Sequence, residues 1–195
     1  VCSDRAFTDI EQRKGRGMDA VHEGLDAVRA ELTGLDRPVV ALLEPGLSAE
    51  AVRTRVGDGV PAELVAWFGW ANGTREEPDQ LVDEASFIPG YVLVSLTEAL
   101  EFREEIEMDQ PEGVEWLPLL VSPAADFYAA VWDGEEVQVA SFVQGADEPM
   151  LYASIPLMLR TVTESFRTGA FEVDEEGYFD MHPELCDRVY EALNS

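Results

Sequence analysis

Carboxylates are the one chemically versatile group this chain holds in excess: 40 Asp and Glu stand against 13 Lys and Arg, two His and two Cys in 195 residues. Two facing carboxyls can divide the acid and nucleophile roles of glycoside hydrolysis, and several converging oxygens can hold a divalent cation. So many acids also make close pairs by chance, and spacing has to decide. Asp174-Glu175-Glu176 are consecutive and lack the alternating ligand spacing of a calcium loop. Glu101, Glu104, Glu105 and Glu107 crowd one helix-like stretch with no such order. Both groups read as solvated or partner-facing patches, which makes Glu101, Glu104, Glu105, Asp174, Glu175 and Glu176 the partner-binding candidates.

The other reactive types are scarce. His22 falls in an N-terminal helical pattern and is expected on its solvated face, and His182 precedes Pro183, where a helix-start role is expected. Cys2 and Cys186 are too few for a disulfide framework or a structural zinc site and read as reduced thiols, Cys186 as a partly buried filler. Lys14 is the only lysine, which leaves no usual phosphate-binding or Schiff-base lysine, and no nucleophile elbow, P-loop, dinucleotide fingerprint or zinc-protease motif occurs. Trp67, Trp70, Trp116 and Trp132 could stack on a sugar or a base, but each lies in an apolar segment and is expected in the core. No catalytic residue, cofactor or metal ligand is assigned.

The formal net charge of −27 repels nucleic acid and anionic lipid and accelerates encounter with basic proteins; acidic surfaces also confer solubility. No apolar run is long enough to span a membrane and no leader pattern is visible, so a cytoplasmic protein is expected. Residues 1–17 lack an apolar stripe and carry Arg5, Arg13, Lys14 and Arg16. Arg13 to Gly17 can be written in purine-rich codons like those of a ribosome-binding site, so Met18 is the expected start and 1–17 a disordered or non-native leader.

The elements that position these residues follow from local patterns. Val21, Leu25, Val28 and Leu32 mark a helix ending near Gly34, and the run PVVALLEPG reads as a short strand or extended connector, together the segment 18–44. Ser48 caps a helix that Gly57-Asp58-Gly59 ends; Pro61 opens another, amphipathic helix that Asn72-Gly73 stops. Thr74 to Ala85 is a polar loop, Ile88 to Val94 a strand, and Ser95-Leu96-Thr97-Glu98 a capping box whose helix is ended by Asp109 to Gly113. Three β segments follow, the last two joined at Asp133-Gly134, with a short strand at Met150 to Ala153. Ser154-Ile155-Pro156 and Pro183 start two further helices, connected by a stretch carrying the acidic cluster.

The ordered series from Pro45 to Phe171 resembles the SUKH superfamily, which includes fungal Smi/Knr-type cell-wall synthesis regulators and bacterial immunity proteins. The residues carrying the likeness are Pro61, Trp67, Asn72-Gly73, Pro89-Gly90, Trp116, Pro118, Asp126, Trp132 and Gly134, read as shape determinants. Strands clustered between helices predict an α+β fold with a central, mostly antiparallel twisted sheet, and the resemblance implies the same, with residues 45–195 as the SUKH-like domain and extra helices at both ends. It also implies a non-enzymatic binding protein, an immunity protein that blocks a toxin's active site, the partner being a basic toxin domain rather than nucleic acid or membrane. A regulatory adaptor and a carboxylate-based hydrolase are the alternatives, and oligomeric state is left open.

Overall fold

In the computed structural model, which describes residues 2–106, 112–134, 136–146 and 148–194, with side chains from residue 15 onward, the apolar stripe of the first helix is fully buried. Val21, Leu25, Val28 and Leu32 have no exposed surface, because α1 (Cys2–Gly34) lies against two later helices, α4 (Ala62–Trp70) and α7 (Ile155–Arg167). Gly24 permits the second of these contacts: a Cβ there would sit 2.9 Å from Leu159 Cβ. The backbone of residues 2–17 is helical and continuous with the rest of α1.

After α1 the run PVVALLEPG divides. Val39–Leu42 forms one helical turn, α2, and only Leu43–Pro45 is a strand, β1, so the expected boundary at residue 45 falls inside an element. Ser48 Oγ accepts from Ala51 N at 3.2 Å and starts α3 (Ala49–Val56) as its residue type predicts. Pro61 is one place earlier than expected: it is the N-cap of α4, with ψ 150°. Leu64, Val65, Trp67 and Phe68 are all buried along α4.

Asn72-Gly73 does not end that helix in a left-handed turn. Trp70 leads directly into β2 (Ala71–Thr74), which pairs antiparallel with β1. Asn72 Oδ1 instead accepts from Leu96 N at 3.0 Å, and Gly73, at φ 88°, lets the chain pass where a Cβ would lie 2.5 Å from Ser95 N. Both residues therefore fix the start of a helix more than twenty positions away. That helix is α6 (Leu96–Glu105), and its capping box is present: Ser95 N donates to Glu98 Oε2 at 2.7 Å and Glu98 N to Ser95 Oγ at 3.2 Å. It ends at Ile106; Glu107 and most of the expected Asp109–Gly113 terminator lie outside the described residues.

The central sheet has six antiparallel strands in chain order: β3 (Ser86–Ile88), β4 (Tyr91–Leu93), β5 (Glu115–Val121), β6 (Phe127–Asp133), β7 (Glu136–Phe142) and β8 (Met150–Tyr152). The fold is α+β, a sheet flanked by helices. The expected single strand Ile88–Val94 is two, because the chain reverses at buried Pro89 and exposed Gly90, the latter at φ 79°. Asp133 pairs with Glu136 across the Gly134 turn, and Pro118 sits at an irregularity in β5. One face, with Leu117, Ala130, Trp132 and Val139, joins the main core that also holds the stripes of α1, α4 and α7. The other face carries Trp116, Phe127 and Ala129 under Phe102 and Ile106 of α6. Trp67, Trp116 and Trp132 are thus core residues; Trp70 is half-buried and donates to Asp26 Oδ1 at 2.9 Å.

The expected connection after α7 is a second small sheet, β9 (Phe171–Val173) paired with β10 (Phe179–Met181), followed by α8 (Pro183–Asn194). Tyr190 of α8 closes the outer edge of β8, accepting from Leu151 N at 3.2 Å and donating to Leu151 O at 2.7 Å.

Four tyrosines run from α8 into the sheet, Tyr190, Tyr152, Tyr128 and Tyr91, with successive ring centroids 5.4, 6.3 and 5.1 Å apart. Burial, reinforced by Tyr128 and Asp126, pushes the Tyr91 hydroxyl from 10.0 up to about 12, and burial also raises Tyr128 and Tyr152. The folded state then keeps protons that the unfolded chain releases, so this contribution is complete below pH about 10 and is lost as pH rises toward about 12. Unfolding free energy measured in urea should fall across that window. Tyr91→Phe should flatten the decline, and an unchanged slope would show that the buried hydroxyl is not its cause.

Candidate functional site

Arg37 brings together three segments that are remote in sequence. Only 7 % exposed, it follows the turn after α1 and reaches the last helical turn of the supposed loop, α5 (Val82–Ala85). Its Nη2 donates to Asp83 Oδ2 at 2.6 Å and to Asp83 O at 2.7 Å, its Nη1 to Gly177 O at 3.4 Å, and its guanidinium lies 4.8 Å from the centre of the Phe179 ring. Asp83 Oδ1 also accepts from Phe179 N at 2.9 Å. The loop before β3 is thereby latched to the β9–β10 hairpin.

The tip of that hairpin is the predicted cluster Asp174-Glu175-Glu176. Asp174 has a local task, since its Oδ1 accepts from Glu176 N at 2.9 Å and Tyr178 N at 2.8 Å, folding the turn back on itself. Glu175 and Glu176 are exposed, and beside them Tyr178 is 55 % exposed. Across the latch, Leu81 is 59 % and Val82 49 % exposed.

Leu81 and Val82 form one lip of a cleft of about 460 Å³. Val92, Leu93 and Val94 at the end of β4 and Val121 at the end of β5 line its inner wall, and Glu98 and Phe102 of α6 the opposite side. Arg75, Glu76, Glu77 and Gln80 complete the loop side. Arg75 Nη2 donates to Glu77 Oε1 at 2.7 Å, and Glu44 lies 3.6 Å from Nη1; Glu77 raises the already high pKa of Arg75 by hydrogen bonding and charge. Arg75, the one cation lining the cleft among the described residues, is thus engaged by two acids.

None of the six predicted acids lines this cleft. Glu101, Glu104 and Glu105 are exposed on α6, the helix that supplies Glu98 and Phe102. Asp174, Glu175 and Glu176 lie on the hairpin latched to the loop that supplies the other side. The sequence reading did not single out Arg37, Leu81, Val82 or Phe102 as site residues. The apolar pair Leu81-Val82 inside an acidic loop is the signal that could have found the lip; Arg37 has no local signal, because its partners are remote.

The shape determinants have structural positions. Asp126 Oδ1 accepts from Gln144 N at 2.7 Å, joining the β5–β6 turn to the end of β7. His22 is half-buried rather than on a solvated face, with Nε2 3.1 Å from Ala66 O; His182 has the expected helix-start position, its carbonyl accepting from Leu185 N and Cys186 N at 3.0 Å, while its ring lies 2.6 Å from Glu172 Oε1. Cys186 is half-buried, and burial raises its thiol pKa, so it is a weak nucleophile. Among the described residues no group of three or more His, Cys, Asp or Glu is placed to hold a metal ion, and no helix is long and apolar enough to cross a membrane. A scan against protein-family models and a search of curated proteins return no match to this chain.

Proposed function

We propose that this chain is a non-enzymatic binding protein of the cytoplasm, an immunity protein of SUKH type that neutralises a toxin by covering its active site. The observation that carries the reading is the arrangement of carboxylates on both sides of one apolar-walled cleft, in a chain of net charge −27. Toxin domains that act on nucleic acid need basic clefts, and a rigid acidic surface can occupy such a cleft in place of phosphates. The rim charges speed association, and apolar anchors such as Leu81, Val82 and Tyr178 slow release.

Affinity capture from the native host at about 50 mM and about 500 mM salt tests this, since screening weakens surface electrostatics between those limits. The expected result is a basic protein held at low salt whose enzymatic activity is abolished when this chain is added to the purified partner. Neutralising Glu101, Asp174, Glu175 and Glu176 to their amides should slow association by about ten-fold, the Asp174→Asn change keeping the turn acceptor. Failure to capture a basic partner at low salt, undiminished partner activity, or an unchanged association rate in the four-site variant would refute it.

A further inference from the structure

The cleft is not a generic acidic surface, because its charge and its apolar area sit on different parts of the same opening. Three carboxylates, Glu76, Glu77 and Glu98, share it with one guanidinium, that of Arg75. Arg75 is tied to Glu77 and Glu44, and one oxygen of Glu98 accepts from Ser95 N, so the rim is held in place rather than free to collapse inward. Between these charges lie Val92, Phe102 and Val121, all only partly buried, with Leu81 and Val82 exposed at the lip. Phe102 is fixed by edge contact with Phe127, ring centroids 5.2 Å apart. An anionic ligand would meet an excess of negative charge, and a purely apolar one would leave the rim without counter-charge.

We propose that this cleft takes a short basic segment of a partner protein, an aliphatic or aromatic side chain seated against Val92, Phe102 and Val121 and arginine or lysine on either side against Glu76, Glu77 and Glu98. The proposal deepens the binding reading above and rests on it for the partner's being a basic protein, but not for its being a toxin. The opening lies within the size range of sites that enclose small ligands or a few side chains. Apolar contact supplies the selectivity, since a basic chain of any sequence feels the long-range field of this protein.

The test uses three fluorescent peptides of about eight residues, alternating Arg-Leu, Arg-Gly and Glu-Leu, titrated by anisotropy at about 150 mM salt to screen the diffuse field. The Arg-Leu peptide should bind the full chain at least about ten-fold more tightly than Arg-Gly, and Glu-Leu should not bind. Replacing Leu81→Ser and Val82→Ser together, both exposed, should weaken Arg-Leu binding by about ten-fold. Glu50→Gln with Asp58→Asn, both exposed and outside the cleft, should change it by less than about two-fold. Equal affinity for Arg-Leu and Arg-Gly, or an Arg-Leu affinity unchanged by the serine pair, would overturn the proposal. So would loss of self-association in the serine variant with no peptide bound, which would assign the lip to a second copy of this chain. If the peptide ranking holds while toxin neutralisation fails, the immunity reading falls and the cleft assignment stands; the reverse outcome removes the cleft alone.

Discussion

Gly46→Ala should cost about 3 kcal/mol or more and leave a large share of the protein unfolded, because neither side of the contact at Gly46 can give way. A Cβ there would overlap the backbone carbonyl of Gly69, in the last turn of α4. One chain is held by pairing of β1 with β2 and by the bond from Leu47 N to Phe68 O at 2.8 Å; the other by buried Trp67 and Phe68. A side chain could rotate out of such a clash, but a helical carbonyl cannot. Gly59→Ala is the control, since nothing lies within 4 Å of a Cβ there, and its cost should stay below about 1 kcal/mol. Denaturant midpoints of the two variants decide the matter, and equal midpoints would mean that the two backbones are not packed as described.

Asp83→Ala should destabilise by about 3 kcal/mol, because it leaves the Arg37 guanidinium buried without its counter-charge. It also removes the acceptor for Phe179 N. The lower end of the usual range applies, since the Asp83 side chain is 24 % exposed and water can partly replace it. The pair is not an optimal one: Arg37 Nε is buried with no hydrogen-bond partner among the described residues. Arg37→Met combined with Asp83→Leu should therefore recover much of the loss, as apolar replacement of a buried pair often does. A double-mutant cycle in urea measures the coupling, and a cycle in which the two single changes simply add would show that the latch does not act as a unit. The same variants should shift the Leu81-Val82 lip relative to the hairpin, so their peptide affinities report how far the latch shapes the cleft.

What the sequence made legible here was chemistry completed within a few residues. Ser48, Ser95 with Glu98, and Ser154 cap helices where expected, because a cap needs only an oxygen and an N–H three positions on. The α1 stripe and the Asp133-Gly134 reversal follow from periodicity and turn type in the same way. Features fixed by distant partners were misread. Asn72-Gly73 has the composition of a helix stop, but Leu96 N and the backbone of Ser95 decide its role. The β9–β10 hairpin was hidden by short strands, although Asp174 and Gly177 bracket a recognisable turn. The acidic candidates are visible as residues, but the attachment of the Asp174–Glu176 hairpin to the loop that lines the cleft depends on Arg37 reaching Asp83 and Gly177, about 50 and 140 positions away.

Every strand of the six-stranded sheet pairs with its neighbour in the chain. During synthesis such a meander can form step by step as it leaves the ribosome, with little loop-closure entropy to overcome at each addition. The first helix has the opposite fate: Val21, Leu25, Val28 and Leu32 find part of their cover only when residues 155–167 have been made. Until then α1 can dock on α4, which is made earlier, but the strip of its apolar ridge that α7 covers stays open to water, so the main core closes only once α7 arrives, after the sheet has been laid down.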